Sequence, residues 1–210
     1  MLDVHAPEHG IHGVHDFLIH LLTITAGLLI ALALEAGVEA LHHRHQREQA
    51  EQTIRAELTE NRTSLLKMQD NTRVEIDNAQ KSLLFLEHLR AGKKDDPSGI
   101  HLGFNVSPLQ SAAWSSASAT GALSYLPYDE VQRFATAYHE QQMYEDAVER
   151  ALGNYEILDT FLISSKDPRT MPPQDIEQAV PDVRQSLSDL GAMSDWGRGT
   201  LHTYDDALKP

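Results

Sequence analysis

The chain contains no cysteine among its 210 residues. Disulfide bonds and thiolate metal sites are therefore excluded, and thiol chemistry gives no indication of the compartment. Basic residues are also scarce, with 17 Lys and Arg against 31 Asp and Glu, and the formal net charge is −14. An acidic chain of this kind repels phosphates, so we expect no nucleic-acid partner.

The sequence also lacks the motifs of common catalytic and cofactor sites. It has no phosphate-binding loop, no dinucleotide-binding glycine motif, no nucleophile elbow and no His-Glu-x-x-His zinc motif. Four N-terminal histidines have spacings that could suit a metal on a helix, but the proline and glycines among them oppose a stable helix. These histidines are His5, His9, His12 and His15. We therefore expect no enzyme, no resident cofactor and no metal site.

Charged residues are missing from residues 17–34, and the apolar stretch extends to residue 41. As a helix, residues 17–34 would measure about 27 Å, close to the ~30 Å hydrocarbon core of a bilayer. A cleaved signal peptide is the main alternative, but residues 1–16 hold no Lys or Arg and the apolar run is too long for such a peptide. The sequence predicts a retained transmembrane helix over residues 17–41, with residues 1–16 as an extramembrane tail.

The first basic residues of the chain follow the apolar stretch. They are Arg44 and Arg47, and we expect both to lie at the membrane interface. Lys and Arg that flank a membrane span favour its cytoplasmic side. This bias predicts an N-terminus outside the cytoplasm and a C-terminal domain within it.

Small and polar residues recur every four positions along the predicted span, at Thr23, Gly27, Ala31 and Glu35. Residues at this spacing form one slowly turning stripe, and small residues allow a second helix to approach closely in lipid. One hypothesis is a homo-oligomer that packs through this stripe. The alternative is that Ala and Gly are simply common in membrane helices and that Glu35 extends to the interface.

Proline is absent from residues 17–91, and residues 42–91 are predicted to form a juxtamembrane and stalk helix. Ten positions in this segment follow two interleaved seven-residue repeats, which predicts a buried helical seam. The first repeat is Leu58, Leu65, Thr72, Ala79 and Leu86, and the second is Ile54, Asn61, Met68, Glu75 and Ser82. Polar residues within the seam favour a bundle of helices from the same chain over a simple coiled coil. The fold class is therefore all-α: a transmembrane helix continuing into a long stalk helix and an antiparallel helical bundle.

The remaining helices of the bundle are assigned to residues 107–210. Gly92 is the predicted end of the stalk helix, and residues 92–103 form a loop by composition. Serine and proline at 107–108 predict the start of a helix that ends at Gly121, with Trp114 as its contact with the bundle. A second helix is predicted to begin at residues 126–127 and to end between residues 166 and 173. Its apolar pattern includes Tyr138 and is interrupted at Gln141 and Glu145.

The C-terminal part of the chain is predicted as two shorter helices. The first covers residues 175–190 and is broken or restarted at Pro181, because proline removes a helical hydrogen bond. The second is a short helix around Trp196 and Tyr204 that packs back on the bundle.

Two features of the sequence carry a resemblance to known proteins. They are the span with its histidine-rich exit (LLTITAGLLIALALEAGVEALHHRH) and the pattern Ala-Trp-x-x-Ala-x-x-Thr-Gly-Ala-Leu at residues 113–123. With Tyr128, Tyr138 and Gln141, they resemble a group of bacterial single-pass inner-membrane proteins with no characterised function. The resemblance implies a bacterial inner-membrane location. It implies no activity, ligand or site residue.

These features predict a membrane-anchored helical interaction or scaffold protein. Its expected partners are the lipid bilayer and either further copies of itself or another membrane protein, to which it would be an accessory subunit. The alternative is a transmembrane sensor or signal-coupling protein that uses the continuous helix. A third hypothesis, a metal-binding or enzymatic protein, has the least support because no motif for it is present.

Overall fold

The computed structural model describes the backbone of residues 13–93, 106–164 and 168–210, and the side chains of all of these except 155–168. Four α-helices are present: α1 (Val14–Arg90), α2 (Ala112–Ala119), α3 (Tyr128–Ser164) and α4 (Pro173–Ala207). Two short 3₁₀ helices, Ala122–Tyr125 and Pro168–Thr170, precede α3 and α4. No strand occurs in these ranges, and the predicted all-α class is confirmed.

The chain divides into two compact units, Met1–Glu48 and Gln49–Pro210, and α1 contributes residues to both. In the first unit, the described residues form one helical segment. The N-terminal part of α1 is the one stretch in the described part of the chain that is long and apolar enough to cross a membrane. None of the side chains of this stretch is buried within the protein.

In the second unit, α1 buries the seam that the two seven-residue repeats predict. All ten repeat positions are buried, and Ile54, Leu58, Leu65 and Leu86 are fully so. Four of the ten are polar or charged, so the seam must supply them with hydrogen-bond partners. Thr72 satisfies its hydroxyl within α1 by donating to the carbonyl oxygen of Met68 at 2.8 Å.

Contacts along the second unit establish an up-down-up-down bundle. The numbering of α1 and α3 rises in the same direction, as the pairs Arg55–Glu130, Asn61–Gln141 and Met68–Tyr144 show. The segment that includes α2 runs the opposite way along α1, with the pairs Met68–Ser107 and Glu57–Ala113. The helix α4 also runs opposite to α1, with the pairs Arg62–Asp205 and Glu87–Arg184. The predicted antiparallel bundle is confirmed.

The C-terminal end of α1 and the start of α3 follow the sequence signals. Gly92 has φ +69°, a left-handed conformation that glycine adopts without strain. The N–H of Gly92 donates to Leu89 O and that of Lys93 donates to His88 O, both at 2.9 Å, which is the pattern of a Schellman motif. Helix α3 begins directly after Pro127, with Asp129 and Glu130 in its first turn, where they complement the helix dipole.

The helix predicted to begin at residues 107–108 begins later, at Ala112. Residues 106–110 are not helical, although Ser107 and Pro108 form a good start signal. The physical reason lies at Gln110, whose backbone N–H and C=O both bond to the Asn61 side chain of α1. The backbone groups of Gln110 that would form hydrogen bonds within a helix bond to the side chain of Asn61 instead.

The two predicted C-terminal helices are one helix, α4, which contains Pro181 in its interior. Proline at such a position costs about 3 kcal/mol because it removes a donor and crowds the preceding turn. The ring of Pro181 is exposed, while Val180 and Val183 on either side are buried. Burial of the flanking apolar face therefore offsets the lost hydrogen bond, and Trp196 and Tyr204 lie in the later turns of the same helix.

One arginine joins three helices near the Gln49 end of the second unit. Arg55 of α1 donates to Glu130 Oε1 of α3 at 2.6 Å and to Glu51 Oε1 at 3.0 Å. It also reaches the carbonyl oxygens of Ala207 and Lys209 at the end of α4, at 3.4 and 3.2 Å. Its guanidinium lies 5.6 Å from the ring centre of Phe134, within the range of a cation–π contact.

We expect Arg55→Ala to lower the free energy of unfolding of the second unit by about 3 kcal/mol, because Glu130 is buried and would lose its cationic partner. Denaturant titration of the detergent-solubilised full chain, followed by tryptophan fluorescence, measures this. Arg62→Ala is the matched control, since its pair with Asp205 is exposed and should be worth under about 1 kcal/mol. Equal losses for the two variants would contradict a special role for Arg55.

A buried polar cluster and the cleft beside it

The centre of the second unit contains a buried polar cluster built around Asn61. Its amide Nδ2 donates to Gln110 O at 2.6 Å, and its Oδ1 accepts from Gln110 N at 2.8 Å. The backbone N–H and C=O of Gln110 are thus both paired with the side chain of Asn61. Nδ2 also lies 3.2 Å from Gln141 Oε1 of α3. Asn61 therefore holds the non-helical residues before α2 against α1 and connects them to α3.

One turn earlier on α1, Glu57 binds the start of α2. Its Oε2 accepts from the N–H of Ala113 at 2.9 Å, and its Oε1 accepts from the Tyr138 hydroxyl at 2.6 Å. The first N–H groups of a helix have no partner within the helix, and a carboxylate also suits the positive end of its dipole. Helix α2 has no side-chain cap of its own at Ser111, so Glu57 supplies one from another helix.

Gln141 connects the cluster to α4. Its Oε1 accepts from the Tyr204 hydroxyl at 2.7 Å, and its Nε2 donates to Gln110 O and to Glu145 Oε1 at 3.2 and 3.1 Å. Gln141 is 2% exposed and Tyr204 is fully buried. A buried amide with partners for both its donor and its acceptor is tolerated in a core, whereas an unpaired one is costly.

The two tyrosines of the cluster remain protonated. Burial raises the pKa of Tyr138, and the neighbouring Glu57 carboxylate raises it further. Burial likewise raises the pKa of Tyr204. Both phenols therefore act as hydrogen-bond donors throughout the physiological pH range.

Trp114 and Tyr138, the two aromatic residues that the sequence assigns to the bundle contact, lie together. Their ring centres are 5.3 Å apart and their planes differ by 21°, a stacked arrangement. Trp114 is half-buried and Tyr138 is buried. The stack attaches α2 to α3, and the Glu57–Tyr138 hydrogen bond beside it is buried.

A polar cleft of about 370 Å³ opens beside this stack, between the start of α2 and α3. Its walls include Trp114, Tyr138, His139, Gln142 and Glu145. Burial raises the pKa of the Glu145 carboxyl, the hydrogen bond from Gln141 lowers it, and the nearby Asp146 charge raises it. Glu145 thus connects the buried polar cluster, through its hydrogen bond from Gln141, to the cleft.

A metal ion or a catalytic reaction would need a cluster of suitable side chains among the described residues. No group of three or more His, Asp or Glu side chains among them is placed to hold a metal ion. Ser111 and Ser115 line the cleft, but His139, the histidine of the same cleft, has no hydrogen bond to either in the described part of the chain. The arrangement can hold helices together and can contact a ligand in the cleft.

The small-residue stripe lies in the first unit, apart from this cluster in the sequence. Thr23, Gly27, Ala31 and Glu35 are all exposed. The hydroxyl of Thr23 donates to Ile19 O at 2.9 Å within the helix. A Cβ added at Gly27 would meet nothing within 4 Å, so this face of the helix is open.

The two predicted interface arginines, Arg44 and Arg47, are both exposed. Arg44 donates to Glu48 Oε1 at 2.8 Å, a pair one helical turn apart. The Arg44 guanidinium correspondingly lowers the pKa of the Glu48 carboxyl. Arg47 is exposed on the same helix. Three of the N-terminal histidines, His5, His9 and His12, lie outside the described residues.

The sequence did not identify Glu57, Asn61 and Gln141 as members of one cluster. A signal for two of them was present, because Asn61 falls on a seam position and Gln141 interrupts the apolar stripe of α3. Polar residues at buried helix positions indicate an internal hydrogen-bond network. Nothing in the spacing indicated that Gln110, in a segment expected to be helical, would be their shared partner.

Comparisons of the chain with protein-family models, with curated proteins and with solved structures found no match. The resemblance to bacterial single-pass membrane proteins therefore stays a prediction.

We expect Asn61→Ala to destabilise the second unit by about 3 kcal/mol, because it leaves the Gln110 N–H without its partner and removes one of the two donors to Gln110 O and one of the two donors to Gln141 Oε1. The matched control is Asn71→Ala on an exposed position of the same helix, where alanine should be neutral or slightly stabilising. Denaturant titrations of both full-length variants test this. A loss of stability at Asn71 equal to that at Asn61 would show that the cluster has no special importance.

Proposed function

We propose that this chain is a membrane-anchored helical interaction protein, an oligomer or an accessory subunit of a membrane complex. The observation that carries the proposal is the exposed apolar surface of the first unit. Fourteen large apolar side chains from Val14 to Leu41 are 48–77% exposed. Exposure of so much apolar surface to water is unfavourable, whereas lipid or another apolar helix would cover it.

The second unit supports a role in interaction more than one in chemistry. Its buried polar groups at the bundle centre are largely occupied in holding helices together, through Asn61, Glu57 and Gln141. The proposed location is a bacterial inner membrane, with residues 17–41 as a single span. The N-terminus is proposed to lie outside and residues 42–210 in the cytoplasm, since Arg44 and Arg47 flank the C-terminal end of the span.

Cysteine labelling tests the span and its orientation, because the natural chain has no cysteine to interfere. We expect the protein to stay in the membrane pellet after carbonate washing. A cysteine at Ala6 should react with an impermeant maleimide on intact spheroplasts, whereas one at the exposed Ser118 should react only after permeabilisation. The reverse labelling pattern would overturn the orientation, and a protein released by carbonate would overturn the anchor.

We further propose that copies of the chain associate through the stripe Thr23, Gly27, Ala31 and Glu35. Gly27 and Ala31 leave the helix backbone open to close approach, and Thr23 does not need an external hydrogen-bond partner. Glu35 has no hydrogen bond or ion pair with the described residues, and a neighbouring helix could supply one.

Oxidative crosslinking of single cysteines in native membranes tests the association. We expect Gly27→Cys to form disulfide-linked dimers several-fold more efficiently than Leu29→Cys, which lies on a different side of the same helix. Equal efficiency at the two positions would defeat the stripe hypothesis. Affinity purification of a tagged copy in mild detergent, from cells that also make an untagged copy, completes the test of function. The interaction role would be overturned if neither the untagged copy nor a stoichiometric second protein were recovered with it.

One observation favours a second candidate function, signal coupling. Residues 14–90 belong to a single helix, α1, which includes both the predicted span and the buried seam. In this function, a change at the N-terminal histidines would be transmitted along α1. A deletion strain fully complemented by a chain without residues 2–15 would exclude that mechanism.

A further inference from the structure

The cleft beside Trp114 and Tyr138 has the size of a small-molecule site. Its volume of about 370 Å³ falls within the ~300–1,000 Å³ typical of ligand pockets. It is open to solvent on one side, and its described walls are mainly polar. Hydrogen bonds of the polar cluster behind it hold three of the wall residues, Tyr138, Gln141 and Glu145.

The charge of the cleft is negative. Glu145 is the one carboxylate among its described lining residues, and no Lys or Arg belongs to that lining. Gln141 Nε2 donates a hydrogen bond of 3.1 Å to Glu145 Oε1. The other carboxylate oxygen, Oε2, has no hydrogen-bond partner in the described part of the chain. Partial burial removes water from this carboxyl and raises its pKa, so a bound positive charge would restore favourable electrostatics.

The aromatic wall of the cleft suits the same ligand chemistry. Trp114 and Tyr138 both line the cleft, and their stacking holds the rings in place. An aromatic ring attracts a nearby ammonium or guanidinium group through its quadrupole, most strongly in the case of tryptophan. Ser111 and Ser115 at the α2 side add hydroxyl groups that can accept hydrogen bonds from N–H donors.

We propose that this cleft binds a small organic cation that carries a guanidinium or primary ammonium group. The cationic group pairs with Glu145, and the rest of the ligand packs beside Trp114. An inorganic divalent cation fits less well, because one carboxylate supplies too few oxygen ligands. An anion would be repelled by the same carboxylate. This binding role goes beyond the proposed interaction function and does not depend on it.

Calorimetric titration of the full-length protein with agmatine tests the proposal. The protein is held in a non-ionic maltoside detergent at pH 8, where free histidine is mostly neutral. We expect one agmatine site per chain and at least about a tenfold loss of affinity in Glu145→Gln, as for the removal of one charge pair. The glutamine keeps an oxygen that can accept from Gln141, and a thermal melt of the variant checks that the bundle is retained.

Glu149→Gln is the matched control, because Glu149 is exposed one turn further along α3 and is not part of the cleft lining. It should bind agmatine as the natural chain does. A second arm, which needs no variant, compares agmatine with its neutral analogue N-butylurea on the natural chain. Agmatine should bind at least about tenfold more tightly. Absent binding of agmatine, equal affinity for the two probes, or equal losses in the two variants would overturn the proposal.

Discussion

The packing of the helices in the second unit depends on the pairing of one side-chain amide with the backbone of one residue. Asn61 bonds both the N–H and the C=O of Gln110, and no other buried contact joins α1 to the segment before α2 through two hydrogen bonds in the described residues. Because Asn61 is buried, its amide is costly to leave without partners. Glu57 and Gln141 extend the pairing to α2 and to α3, so that the same few atoms set the relative positions of three segments.

Most of the fold follows from apolar periodicity. The seven-residue spacing identified ten of the fourteen buried residues of α1, and Gly92 and Pro127 marked where one helix ends and another begins. Local signals failed where tertiary contacts were stronger. Ser107 and Pro108 would start a helix in isolation, but Asn61 claims the backbone of Gln110. Pro181 would end one, but the buried valines beside it keep α4 intact.

The candidate site could be predicted only in part from the sequence, because it too depends on tertiary contacts. Trp114 and Tyr138 are large aromatic residues in helices, and their packing could be anticipated from size and position. The cleft beside them depends on the angle at which the start of α2 meets α3, and that angle is set by hydrogen bonds between residues about 50 to 80 positions apart. No local pattern encodes such distances, so Glu145 looked like a simple interruption of an apolar stripe.

The non-helical residues before α2 place a strict limit on how this chain can vary in length. Gln110 is matched to Asn61, and Ala113, three positions later, is matched to Glu57 on the neighbouring turn of α1. One added or deleted residue between these two points would put the backbone out of step with α1 and break one of the two attachments. Natural variants should therefore change length elsewhere and keep this short interval constant, even where its side chains differ.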